Sequence, residues 1–196
     1  MGKRHTIKKH NPTNKQADKN KGKNKGKSNS CDPKMTFQEC ELAILRAAVD
    51  EAGNRQGSKV VNSPEVVQII SVVESFLKRT KLVCYGGTAI NNILPKRDQF
   101  YNKDIEMPDY DFYSPTALIH TKELVDIYLK HGFQEVEAKS GVHHGTYKVF
   151  VNFIPVADIS VLPKELFVAI KREAILVAGI LYAPPNLLRM GMYLEL

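Results

Sequence analysis

A four-residue apolar run, Leu82-Val83-Cys84-Tyr85, ends in two adjacent glycines, Gly86-Gly87, followed by Thr88. An apolar run that short reads as a buried strand. Paired glycines let the chain leave a strand through backbone angles closed to other residues. Thr88–Leu94 then reads as a brief helix stopped by Pro95. A strand that passes through a glycine turn into a helix commits the region to a sheet with a helix packed against it.

The flanking sequence extends the same pattern. Thr36 and Glu39 form a capping box for a first helix that runs through Cys40, Ile44, Ala47 and Ala48 and stops near Gly53. Ser63-Pro64-Glu65 opens a second helix, with Val66, Ile69, Ile70, Val73, Phe76 and Leu77 as its apolar face. Residues 96–108 read as a polar loop and Asp109–Tyr113 as a strand. Ser114-Pro115 starts a third long helix that carries Leu118, Leu124, Ile127, Tyr128 and Leu129 and ends at Gly132. Two strands are expected next, over 133–139 and 146–153. In the second, Tyr147, Val149, Val151 and Phe153 share a face, with Lys148 and Asn152 on the other. Pro155 breaks the alternation, so it does not say which way Asp158 points. A helix near 164–172, an apolar run over 174–181 and a last helix from Asn186 complete an α/β (α+β) pattern. The expected fold is a mixed β-sheet flanked by helices, with a helical N-terminal appendage. Its expected divisions are a disordered tail at 1–34, N-terminal helices at 35–80 and a core at 81–196.

The net charge of +7 is unevenly placed. Residues 1–30 carry ten Lys/Arg and one acid, Asp18, a net of +9. The rest carries 18 basic and 20 acidic residues, a net of −2. A Lys/Asn/Gly-rich segment with almost no apolar content cannot offset its chain entropy, so disorder is expected there. It suits a phosphate-binding arm, a nuclear-targeting run or a solubilising tail. Met1-Gly2-Lys3-Arg4-His5-Thr6 also fits the loose myristoylation pattern. No apolar run reaches the ~18 residues of a membrane span, and the N-terminus lacks the apolar segment of a signal peptide. Cys31, Cys40 and Cys84 lie far apart, which points to a reducing compartment, no zinc site and Cys84 as a core residue.

Three acids carry the chemistry. Asp109 and Asp111, two apart on a strand, project from one face and repel unless a cation lies between them. Asp158 interrupts Val156-Ala157-Asp158-Ile159, where a carboxylate is costly without a partner or a metal. Gly86-Gly87-Thr88 supplies backbone N–H groups and a hydroxyl for phosphate. Taken singly, each part has a structural explanation: an exposed strand edge, a salt bridge, a tight turn. Together, in this order, they form the set for a two-metal nucleotidyl transfer, with Mg²⁺ or Mn²⁺ held by carboxylates and substrate phosphates. Lys148 and Asn152 are candidates for triphosphate or ribose contacts, and equally for solvated positions. Lys96-Arg97 suits phosphate or a charged loop, His143-His144 an exposed turn. Tyr101, Tyr110 and Tyr113 could stack a base, although Tyr110, between the acids, packs inward.

Tyr85-Gly86-Gly87-Thr88-Ala89-Ile90-Asn91-Asn92, Pro108-Asp109-Tyr110-Asp111-Phe112 and 151–159 closely resemble the catalytic subunits of poly(A) polymerases from large DNA viruses, giant viruses and, more distantly, poxviruses. These are polymerase-β-like nucleotidyltransferases. The resemblance runs from about residue 36 to the C-terminus, including Tyr182-Ala183-Pro184-Pro185 and Leu188-Arg189-Met190. It implies that Gly86, Gly87 and Thr88 hold the ATP triphosphate; Lys148 is added to the nucleotide site from its strand position alone. It implies that Asp109 and Asp111 bind two metal ions. By the same resemblance, Asp158 would complete one metal site and help deprotonate the RNA 3′-hydroxyl. The implied reaction adds AMP to RNA without a template and releases pyrophosphate. The implied partners are the RNA 3′-end, ATP, and a second copy of the chain or a viral processivity (cap methyltransferase) subunit, in the virion and host cytoplasm. Family members continue into further helical regions, and the apolar pattern at 192–196 has no cap, so a C-terminally truncated core is expected. Two alternatives stand beside this: a nucleotidyltransferase with another acceptor, and an inactive RNA-binding or partner subunit.

Overall fold

The computed structural model describes residues 31–32 and 34–194. The expectations for the basic segment, the myristoylation pattern and the uncapped terminus at Glu195-Leu196 lie outside the described residues. In chain order the elements are α1 (Phe37–Val61), α2 (Pro64–Thr80), β1 (Val83–Tyr85), α3 (Gly86–Ile93), β2 (Tyr110–Ser114), α4 (Ala117–Lys130), β3 (Val136–Ser140), β4 (Thr146–Val151), β5 (Ile154–Val161), α5 (Lys164–Glu173), β6 (Ile175–Val177), β7 (Ile180–Tyr182) and α6 (Pro185–Leu194). Among the described residues, no single helix is long and apolar enough to cross a membrane.

The chain divides at Ala47/Ala48, inside α1, into two compact units. In the first, the capping box is reciprocal: Thr36 N donates to Glu39 Oε2 at 2.8 Å and Glu39 N donates to Thr36 Oγ1 at 3.3 Å. α1 outruns the expected stop at Gly53 and continues to Val61. Cys31 and Cys40 are joined by a disulfide, their Cα atoms 5.0 Å apart. This corrects the reading of the cysteines as reduced. A turn in which Met35 N donates to Asp32 O at 2.9 Å reverses the chain, so the first turn of α1 brings Cys40 back to Cys31.

The second unit is built on a seven-stranded mixed sheet in the order β3-β4-β5-β2-β1-β7-β6. β2 runs parallel to β5 and β1 parallel to β7; the other pairs are antiparallel. Helices α2 and α4 supply Ile69, Val73, Phe76, Leu77, Leu124 and Tyr128 to a core shared with Phe112, Val149, Val151, Val156 and Ile159. α2 opens as expected, with Val66 N donating to Ser63 Oγ at 3.3 Å and Pro64 in the first turn. Tyr128, fully buried, donates its hydroxyl to Ile69 O at 2.8 Å, so the ring packs without stranding a polar atom.

Several boundaries differ from expectation, among them β3, which opens at Val136 rather than 133, and α4, which opens at Ala117. The glycines are the first turn of α3 rather than a separate link, with Gly86 at φ +74°. β2 begins at Tyr110, so Asp109 sits just before the ladder. β4 ends at Val151, because Asn152 and Phe153 adopt φ +50° and +64° and form the reversal into β5. Both φ values are positive, as a two-residue type I′ hairpin requires. Asn152 is therefore off the strand face of Lys148, and its side chain bonds to Glu65. A register shift between Val149 and Phe150 accommodates Pro155 and sets the rest of β5 in alternation. The apolar run 174–181 resolves into the β6–β7 hairpin, with Ala178 and Gly179 at positive φ.

Candidate active site

β2 alternates strictly. Tyr110, Phe112 and Ser114 are buried toward the helices, so Asp111 and Tyr113 take the opposite face. On β5, Ala157 and Ile159 are buried and Asp158 and Ser160 are turned the other way. The parallel β2–β5 register sets Asp111 beside Asp158. The antiparallel β1–β2 register sets Tyr85 beside Asp111. One more strand out, Lys148 on β4 stands beside Asp158, and the two form a hydrogen-bonded ion pair. Residues separated by up to 73 positions in sequence, Tyr85 to Asp158, are thus neighbours on one sheet face.

The glycine turn belongs to the same cluster. A Cβ on Gly86 would lie 2.3 Å from Asp111 Oδ2, so the carboxylate occupies the space a side chain would fill. A Cβ on Gly87 would lie 2.5 Å from the Tyr101 hydroxyl. Glycine is needed at 86 for this contact as well as for its positive φ. Tyr101 is held there from α3: Asn91 Oδ1, almost fully buried, accepts from Phe100 N at 2.8 Å and Tyr101 N at 2.9 Å. Thr88 is buried in the first turn of α3. Asp109 reaches solvent as a residue, yet protein surrounds its carboxyl closely enough for desolvation to raise its pKa. Repulsion from Asp158 adds to that rise and the Lys148 ammonium opposes it. The Lys148 pKa is raised, first by its hydrogen bond to Asp158 and then by the field of Asp158, Asp109 and Asp111. All three acids therefore act on one lysine.

Sequence reading missed a hydroxyl chain on this face. Tyr85 Oη and Ser160 Oγ share a hydrogen bond of 2.8 Å, and Ser160 Oγ and Thr146 Oγ1 another of 2.8 Å. Tyr85 also stacks on Tyr113, with ring centroids 4.0 Å apart and planes 12° from parallel. Burial, with the nearby Asp111, keeps the Tyr85 phenol protonated well above its ordinary range. Only strand register joins Tyr85 to Ser160; no local pattern signals it. Tyr110 packs inward as expected and donates to Glu74 Oε1 at 2.8 Å. Cys84 is a buried thiol whose pKa burial pushes up, an inert core residue. His143 and His144 are exposed, as are Lys96 and Arg97. Beside Asp109 and Thr88 opens a cavity of about 730 Å³, walled by Val66, Val67 and Ile70 of α2 and by Asn92 and Tyr101.

A family model for the poly(A) polymerase catalytic subunit matches residues 71–196, the span that holds every residue of this cluster. The chain belongs to that family. It is similar to a provisionally named poly(A) polymerase catalytic subunit of African swine fever virus (34% identical over 106 residues, 54% of this chain and 22% of that protein). It is equally similar to the provisionally named subunit of Acanthamoeba polyphaga mimivirus (34% over 121 residues, 60% and 20%). The crystal structure of the Megavirus polyadenylate synthase superposes with a TM-score of 0.72 at 25% identity, over 88% of this chain and 35% of that one. The chain spans about a fifth of the length of the curated relatives it matches.

The donor chemistry of the cluster suits a hard divalent cation, which prefers carboxylate oxygens completed by substrate phosphate and water. Among the described residues, no three His, Cys, Asp or Glu side chains converge into a finished metal cage. Asp158 is instead engaged by Lys148.

Proposed function

We propose that this chain carries the nucleotidyl-transfer centre of a poly(A) polymerase and adds AMP from ATP to an RNA 3′-end, releasing pyrophosphate. The observation that carries the reading is the register that seats Asp111 beside Asp158 and against Gly86 at the start of α3. A helix N-terminus, an element suited to phosphate, thereby meets one of two neighbouring carboxylates, an arrangement suited to phosphoryl transfer.

The N–H groups of the first turn of α3, with the Thr88 hydroxyl, would bind the nucleotide's phosphates. Asp109, Asp111 and Asp158 would hold the divalent cations. A bound Mg²⁺ pair supplies Lewis-acid stabilisation of the attacking and leaving oxygens. Asp158 would take the proton of the attacking 3′-hydroxyl. Lys148 would neutralise charge at the phosphates. The cavity beside Thr88 and Asp109 is the place we assign to the adenosine, with the α2 side chains against its base and Tyr101 at its edge. Asp158 and Lys148 do not line that cavity, which leaves the opposite side of the centre, by Asp158, for the RNA end.

The test is extension of a short labelled RNA with ATP and Mg²⁺ or Mn²⁺. Wild-type protein should lengthen the RNA, and Asp111→Asn should lower the rate by about 10²–10³-fold, the scale of lost charge stabilisation in a transition state. A wild-type protein that binds neither ATP nor RNA would overturn the reading. Extension with all four nucleotides alike, or with another acceptor, would move it to a different transferase.

A further inference from the structure

Lys148 lies within the acidic cluster, bonded to the acid expected to act as base. Its partner is fixed by backbone register rather than by chance contact, since β4 and β5 place Lys148 and Asp158 directly opposite each other. The two ends of the pair differ in freedom. The Asp158 side chain is 17% exposed, set in the sheet between Tyr110–Ser114 and Thr146–Val151. The Lys148 side chain is 41% exposed on a flexible four-carbon stem. An ammonium on such a stem can change partners; a carboxylate on a central strand has little room to do so.

We propose that Lys148 is a tethered cation that holds Asp158 until substrate arrives and then moves onto the nucleotide's phosphates, so that the divalent cation and the triphosphate load together. This rests on the metal-dependent transferase reading given above. The physical basis is competition. While Lys148 neutralises Asp158, a divalent cation meets a site whose third carboxylate is taken, and its apparent affinity is the intrinsic one multiplied by the fraction of molecules in which Asp158 is free. Triphosphate at the start of α3 offers the ammonium a stronger anion, which releases Asp158. A lysine that merely braces β4 against β5 would do neither.

The experiment measures Mn²⁺ binding to the full chain by electron paramagnetic resonance, without nucleotide, for wild type, Lys148→Met and Lys148→Arg. A parallel arm measures the affinity of a fluorescent non-hydrolysable ATP analogue at saturating Mn²⁺. Lys148→Met should bind Mn²⁺ about fivefold more tightly than wild type, the scale of a partly exposed ion pair, and bind the analogue more weakly. Lys148→Arg, which keeps the charge, should resemble wild type in the Mn²⁺ arm. Opposite signs in the two arms distinguish a partner-switching cation from a structural brace, whose loss weakens both. Unchanged or weaker Mn²⁺ binding by Lys148→Met overturns the proposal, and Lys148→Gln repeats the test if the Met variant does not fold. Asp111→Asn separates the two levels. If it abolishes Mn²⁺ binding while Lys148→Met changes nothing, only this proposal falls. If it leaves Mn²⁺ binding untouched, the metal reading of the centre falls with it.

Discussion

At the scale of single residues, the centre is an electrostatic compromise among three acids and one lysine. Asp109 shows the cost. Its folded-state pKa lies above the ordinary 3.8, because burial and then Asp158 disfavour its charge. The folded state therefore binds the Asp109 proton more tightly than the unfolded chain does. At pH values above the raised folded pKa, the charge works against folding. As pH falls through that value toward the unfolded one, the penalty fades, and below both it is gone. Asp109→Asn should accordingly raise the melting temperature at pH 7, and the gain should vanish once pH drops below the ordinary carboxylate range. A melting series from pH 7 to pH 3 checks this. A variant less stable than wild type at pH 7 would show that Asp109 makes favourable contacts that outweigh its repulsion.

At the scale of elements, the strongest local signals were chemical punctuation: the Thr36/Glu39 box, Ser63-Pro64, the glycine pair, and the alternation that turns Tyr110 inward and Asp111 outward. Each is set within a few residues by propensity or period. What stayed hidden depended on pairing between distant strands. The Lys148–Asp158 pair needs the β4–β5 register and the Tyr85–Ser160–Thr146 hydroxyls need β1, β2, β4 and β5 aligned before they exist, while the tie from Asn91 to the loop after α3 needs that loop to fold back on the helix. The Cys31–Cys40 link likewise needs a chain reversal that spacing does not announce. The β4–β5 turn was misjudged because its residues break the rule that marks such turns. Phe153, at φ +64° and 77% exposed, stands where type I′ geometry favours glycine. Its ring has little packing to lose. Phe153→Gly should stabilise the second unit by about 0.5–1 kcal/mol, since left-handed geometry costs a side-chain-bearing residue about 1–2 kcal/mol and glycine's extra chain entropy returns part of that. Urea unfolding of the two proteins measures it, and a loss of stability would mean that Phe153 is held by contacts stronger than its strain.

At the scale of the whole molecule, charge is divided as sharply as fold. The first thirty residues carry +9 and the rest −2, while the centre itself is built around carboxylates. On the proposed function, an acidic centre in a nearly neutral domain would draw little RNA by long-range attraction, and a triphosphate would be held by local N–H groups rather than by a broad positive field. The basic segment is where a polyanion would be gathered. If about half of its ten cations sit on phosphates, the logarithm of the RNA association constant should fall against log salt with a slope near −3 to −4, from about −0.7 per contact on a single strand. Removing residues 1–30 should flatten most of that slope, weaken RNA binding at low salt, and leave the melting temperature of the remaining chain unchanged. It should also leave affinity for the ATP analogue unchanged, because the proposed nucleotide contacts, from Val66 of α2 onward, all lie outside residues 1–30. Anisotropy of a labelled single-stranded RNA across a salt series reads the first two, calorimetry the third and a nucleotide titration the fourth. A slope that survives the deletion would place the RNA contacts on the folded chain instead, where Lys96 and Arg97, both exposed after α3, are the cations to change next.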